Sequence, residues 1–183
     1  MIIWIILAVF VVFILVVIGI FNQLIVLRQN VKNGWSQIDV QLKRRHDLIP
    51  NLVETAKGYL VHEKNTLEAV VKARQQAVDA SGLKSRQEAE NYLTQTLRSL
   101  FAIVENYPNL KADGQMLKLQ EELTSTENKI AFARQYYNDE TARFNTAVQS
   151  FPNNVIAQIF NFTQSEFFEI QDPADRAAPQ VKF

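Results

Sequence analysis

IDVQLKRRHDLIPNLVE, residues 38–54, is the stretch on which the fold turns. Three consecutive cations, Lys43, Arg44 and Arg45, then His46 and Asp47, sit between apolar positions, and Pro50 follows. A catalytic site, a membrane-surface patch and a structural element are the competing readings. Spacing points to structure. Trp35, Leu42, Ile49 and Ala56 recur in sevens, and Ile38, Arg45, Leu52 and Tyr59 form the companion line. Alternating steps of three and four make one stripe on a helix. The stripe keeps its phase across Pro50, where a loop would shift it. It therefore predicts a helix starting near Trp35, kinked at Pro50 and running past Leu60. A new helix with Asp47 as N-cap and Pro50 in its first turn is the less favoured alternative.

Upstream, residues 2–21 (IIWIILAVFVVFILVVIGIF) carry no charge over about twenty positions, the length that crosses a bilayer core. No Lys or Arg precedes the run, and IGIFNQLI lacks a small-residue cleavage site, so the pattern reads as an uncleaved signal anchor. Arg28, Lys32, Lys43, Arg44 and Arg45 all follow it. The positive-inside bias then puts the N-terminus outside and the remainder in the cytoplasm.

Downstream, Asn65 with Glu68 and Ser85 with Glu88 resemble capping boxes. The first would open a helix that stops at Gly82. The second would open one whose apolar line is Ala89, Leu93, Leu97, Leu100, Phe101 and Val104, ended by Pro108. The longest element starts near Gln115. Met116, Leu123, Ile130, Tyr137, Phe144 and Phe151 recur in strict sevens, with Leu119, Thr126, Ala133, Glu140 and Ala147 as the companion line. A seven-residue repeat predicts left-handed, nearly antiparallel packing. The fold class is all-α: an N-terminal transmembrane helix followed by an elongated antiparallel helical bundle with long, coiled-coil-like helices. The expected division is an outer N-terminus and anchor at 1–27, a cytoplasmic bundle at 28–170 and a Pro/Ala-rich flexible tail at 171–183.

Composition narrows the function. Lys+Arg and Asp+Glu are both 19 in 183 residues, a balance that argues against a nucleic-acid partner. There are no cysteines, so disulfides, thiolate zinc sites and thiol catalysis are excluded. His46, Asp47, His62 and Glu63 have no metal-ligand spacing: HEKNT lacks the second histidine of a zincin, and no helix carries Glu-x-x-His pairs. No G-x-S-x-G or phosphate loop is present. No enzyme and no cofactor are expected.

Arg45 on the core-facing stripe needs a partner, because an isolated buried charge costs several kcal/mol. Gln120, Glu127 and Arg134 also fall in sevens, one step off the Met116 line. The expected network pairs Arg45 with Glu127, and Asp47 or Glu54 with Arg134. The structural role is preferred, and a ligand pocket lined by Arg45, His46 and Glu127 stays open. Phe160, Phe162, Phe167 and Phe168 form a second cluster, on the chain's own bundle, on a subunit or partner, or on lipid. Lipid is least favoured here, since interfacial helices carry Lys or Arg and none lies between Arg143 and Arg176.

NGWSQIDVQLKRRHDLIPNLVETAKGYLVHEKNTLEAVVKAR, ENYPNLKA, LQEELTSTENKIAFARQYYND and FPNNVIAQIFNF occur in this order. From the anchor to about Phe168 the chain resembles the LemA family of bacterial membrane proteins. The resemblance implies a short outer N-terminus, one transmembrane helix and a cytoplasmic antiparallel helical domain, and carries over no catalytic residue. A family relative acts in shaping magnetosome membranes, which by analogy implies a membrane-organising role. The expectation is a self-associating scaffold of the inner membrane whose partners are the bilayer, further copies of itself and other membrane proteins. The alternative is a monomeric adaptor or sensor.

Overall fold

The structure, a computed structural model, describes residues 1–168; the tail expected at 171–183 lies outside them. Among the described residues there are six helices and no strand: α1 (Ile2–Lys57), α2 (Lys64–Asp79), α3 (Leu83–Val104), α4 (Pro108–Lys111), α5 (Gly114–Gln149) and α6 (Asn153–Ile159). Contacts group the chain into two compact units. One holds Met1–Ile38 and Phe132–Phe167, the other Asp39–Ala131 with Phe168.

The apolar run and the stripe beyond it belong to one helix. α1 has 56 residues and passes through Pro50 without interruption, so Asp47 is not an N-cap. An interior proline removes a helical N–H and leaves the carbonyl four residues earlier without a donor. That carbonyl is His46 O, and Arg74 Nε of α2 donates to it at 2.7 Å. α1 stops at Lys57, short of Leu60, where the exposed Gly58 offers little helical preference.

Other helix ends correct the sequence expectations. Glu63, not Asn65, precedes α2, and no side chain caps it. α2 ends at Asp79, before Gly82. Gly82 instead heads α3 with φ +83°, a conformation costly for a residue with a Cβ, so Ser85 falls inside the first turn. α3 ends at Val104, and Pro108 opens α4, where its missing N–H is of no consequence. α5 is capped by Asp113, whose Oδ1 accepts from Gln115 N at 3.0 Å and Met116 N at 2.9 Å. Those bonds, with Met116 N first, hold the Asp113 carboxyl below its ordinary pKa.

In the second unit α1 and α5 run antiparallel, Arg45 meeting Glu127 and Tyr59 meeting Asp113. α2 and α3 form a hairpin over them. Ile49, Leu52 and Ala56 of α1, Val70 and Ala73 of α2, Leu93 and Leu100 of α3, Leu110 of α4, and Met116 and Leu123 of α5 build one apolar core.

In the first unit residues 2–16 of α1 are exposed, and burial starts in earnest at Leu24. Val31, Gly34 and Ile38 face α5, again antiparallel: Asn30 meets Glu140, and Trp35 packs edge-on against Tyr137 at 5.6 Å. Gly34 is required by proximity, since a Cβ there would lie 3.0 Å from Tyr137 Cα. Tyr137 and Phe144 on the heptad line of α5 are buried here, as are Ala133, Glu140 and Ala147 on its companion. Phe151 is not part of the core: α5 ends at Gln149, and the ring is 83% exposed.

Candidate functional site

The densest group of ionisable side chains is built around Arg45, on α1 one turn from Ile49. Its stripe position drives the guanidinium inward, and its side chain is 1% exposed. Nη1 donates to Glu127 Oε2 at 2.7 Å and to Thr94 Oγ1 at 2.9 Å; Nη2 donates to the Glu90 carboxylate and carbonyl. Only Nε lacks a partner. Glu90 is also 1% exposed, and its other carboxylate oxygen meets His46 Nε2 at 2.8 Å. Burial pushes the Glu90 pKa up, but the His46 hydrogen bond and the Arg45 charge outweigh it and hold the carboxyl below its ordinary value of 4.5.

Three helices thus converge on one cation, and Arg45 sits 2.7 Å from Glu127. Asp47 and Glu54 each lie beside a lysine of their own helix. Asp47 pairs with Lys43 one turn back, at 2.6 Å, and Glu54 with Lys57 at 3.0 Å, both in solvent. Each lies off the buried stripe, so a lysine on its own helix is the nearer counter-ion. The Lys43 hydrogen bond keeps the Asp47 carboxyl below its ordinary pKa.

Sequence reasoning missed Glu90 and Thr94 as members of this group, and placed His46 beside Arg45 and Glu127 only as the lining of a pocket. The signal existed. The buried line of α3 is Gln87, Glu90, Leu93, Leu97, Leu100 and Val104, so a step of three back from Leu93 lands on Glu90. Reading the line through Ala89 hides it, because Ala89 is only partly buried.

Beside the network lies an open cleft of about 440 Å³. Its polar lining includes Asp39, His46, Asp47, Arg74, Arg86 and Glu90. Arg86 donates to Asp39 at 2.6 Å, so that pair is matched, while Arg74 donates to the His46 carbonyl. Among the described residues no group of three His, Asp or Glu side chains is placed to hold a metal ion.

The phenylalanine cluster divides. Phe162 is buried, its ring 5.8 Å from Phe21 and 6.4 Å from Phe144, with the Arg28 guanidinium 4.9 Å from its centroid. Phe168 is also buried. Phe160 leans one face on Phe21 at 4.7 Å and stays half exposed, as does Phe167. Residues 162–168 are not helical. They are strapped to α5: Asn145 donates to Ser165 O at 2.9 Å and accepts from Ser165 N at 2.8 Å, and the Tyr137 hydroxyl donates to Glu166 O at 2.8 Å. Burial, first, raises the Tyr137 pKa.

The LemA family matches residues 34–183, a range that takes in both the Arg45 network and α6. The chain belongs to the LemA family. Related proteins include magnetosome protein MamQ 2 of Paramagnetospirillum magneticum, 22% identical over 181 residues that cover 85% of this chain and 66% of the relative. Protein LemA of Metamycoplasma hominis is 26% identical over 172 residues, covering 89% of this chain and 78% of its own. The chain thus spans 66% of MamQ 2, just under two thirds. The LemA-family match starts at Gly34, downstream of the apolar run, and that run in α1 has the length and composition of a membrane anchor.

Proposed function

We propose that this LemA-family protein is a non-enzymatic, single-span scaffold of the bacterial inner membrane, with its N-terminus outside and its helical domain in the cytoplasm. It self-associates to organise or remodel the bilayer. The observation that carries the anchor is the change along α1: an uncharged, exposed run over residues 2–16, then full burial at Leu24. The Lys and Arg residues that follow the run support the orientation. The Arg45 network supports the non-enzymatic part, since Arg45 and Glu90 are buried and spent on one another. Relatives named as magnetosome proteins support a membrane-organising role.

The test is the mass of the full-length protein in membrane patches excised with a solubilising polymer. Regular assemblies at multiples of 21.0 kDa are expected. One protomer per particle at high protein density would remove self-association and leave the second reading, an adaptor that binds a partner without assembling. The cleft beside His46 is what favours that reading.

A further inference from the structure

α6 is too short to matter by its own helical stability, and its surroundings make it unusual. From Phe144 to Ser165 there is no charged residue. Within this stretch Ile156 and Ala157 of α6 turn inward and are buried. Val155 and Ile159, spaced by four on α6, share the opposite face and are 48% and 64% exposed, and Phe151, in the turn that precedes the helix, is 83% exposed. Phe160 extends the same apolar surface.

The position of this face decides its partner. Phe160 and Phe162 pack on Phe21, the last residue of the apolar run. Arg28, two turns further along α1, lies against Phe162 and is exposed. The segment around α6 therefore sits where the helix passes from its apolar run to its first cation. That level is the boundary between acyl chains and headgroups, where half-buried aromatic rings are stable.

We infer that the face formed by Phe151, Val155, Ile159 and Phe160 inserts into the interfacial layer of the same leaflet from which α1 emerges, as a second membrane contact. This rests on α1 being a membrane anchor. Free interfacial helices use Lys or Arg to reach the surface. A segment packed on an anchored helix is already held at the bilayer at high effective concentration, so it needs no such attraction. The neutral side chains Asn153, Asn154 and Gln158 flank the face and suit headgroup depth. A second copy is a poorer occupant, because a face placed beside the emerging helix would meet lipid first.

The chain has no cysteine, so a single introduced cysteine gives one spin label. Val155→Cys, Ile159→Cys, Val12→Cys in the apolar run and Ser99→Cys on the exposed side of α3 are labelled in the full-length protein. Each is reconstituted in vesicles of phosphatidylethanolamine and phosphatidylglycerol. Collision with oxygen, which concentrates in lipid, is compared with collision with a water-soluble nickel chelate. The oxygen-to-nickel ratio at 155 and 159 is expected to rise well above that at 99 and approach that at 12. A ratio equal to that at 99 would place the face in water and overturn the inference. Exclusion of both reagents would mean protein covers it, which also overturns it. Failure of the Val12 label to read as lipid would remove the anchor itself, an outcome separate from the other two.

Discussion

The two units solve the problem of pairing α1 with α5 differently. Residues 39–131 use charge: Arg45, itself buried, binds carboxylates and a hydroxyl on two other helices, with Glu90 buried beside it and Glu127 partly open to solvent. The unit formed by 1–38 and 132–167 uses rings and backbone straps, with Phe162 between Phe21 and Phe144 and Asn145 holding Ser165. An unpaired buried ion is costly, so the first device tolerates almost no slip in register. Ring packing is adaptable and leaves apolar faces outside. A region that must hold a single arrangement and a region that, on the inference above, faces a bilayer have different requirements.

The largest effect should come from Arg45→Ala. It strands Glu90 inside the core and should lower unfolding free energy by roughly 3–5 kcal/mol, read by denaturant titration in mild detergent. A loss near zero would mean that the charges do not hold this unit. Its acid dependence sharpens the point. The folded Glu90 pKa lies below its ordinary 4.5, so its contribution is present above pH 4.5 and is lost as pH falls through the folded value. Glu90→Gln should therefore flatten the acid limb of the stability curve, and an unchanged limb would assign that limb to other groups.

Phe162→Ala should be nearly as costly, about 3 kcal/mol for a ring removed from a buried site. Its signature should be local, with residues 160–168 becoming protease-sensitive while the second unit stays protected. Simultaneous loss of protection in both units would erase the contrast between them. Gly34→Ala should be milder. Crowding against Tyr137 Cα costs about 1–3 kcal/mol, partly offset by about 1 kcal/mol of better helix propensity. A stabilised variant would show that α1 and α5 approach less closely than 3.0 Å implies. Asp47→Ala should leave the unfolding midpoint where it is, because the Lys43 pair is exposed and such pairs contribute little.

The sequence made some of this legible. Heptad spacing locates α5 and the α1 stripe, including the misplaced-looking Arg45, because a helix buries what its period puts on one face. Helix termini were harder: Glu63 and Gly82 precede helices without a capping side chain, so the Asn65 and Ser85 boxes mislead. Glu90 hides behind Ala89, one position away. The Asn145–Ser165 strap is invisible to periodicity, since it depends on a non-helical segment turning back onto α5.

The second unit turns Arg45 and Glu90 inward, and α6, on the inference above, turns its apolar face to lipid. Hydrogen exchange of the full chain in lipid nanodiscs tests both halves together, with the loop at residues 58–63 as the fast reference. Slow exchange is expected in residues 86–97, around the buried Glu90, and also in residues 153–160, which in water would exchange quickly because a seven-residue helix is marginal. Exchange of residues 153–160 at the rate of the loop would contradict the membrane-facing half, and the same rate at 86–97 would contradict the buried core.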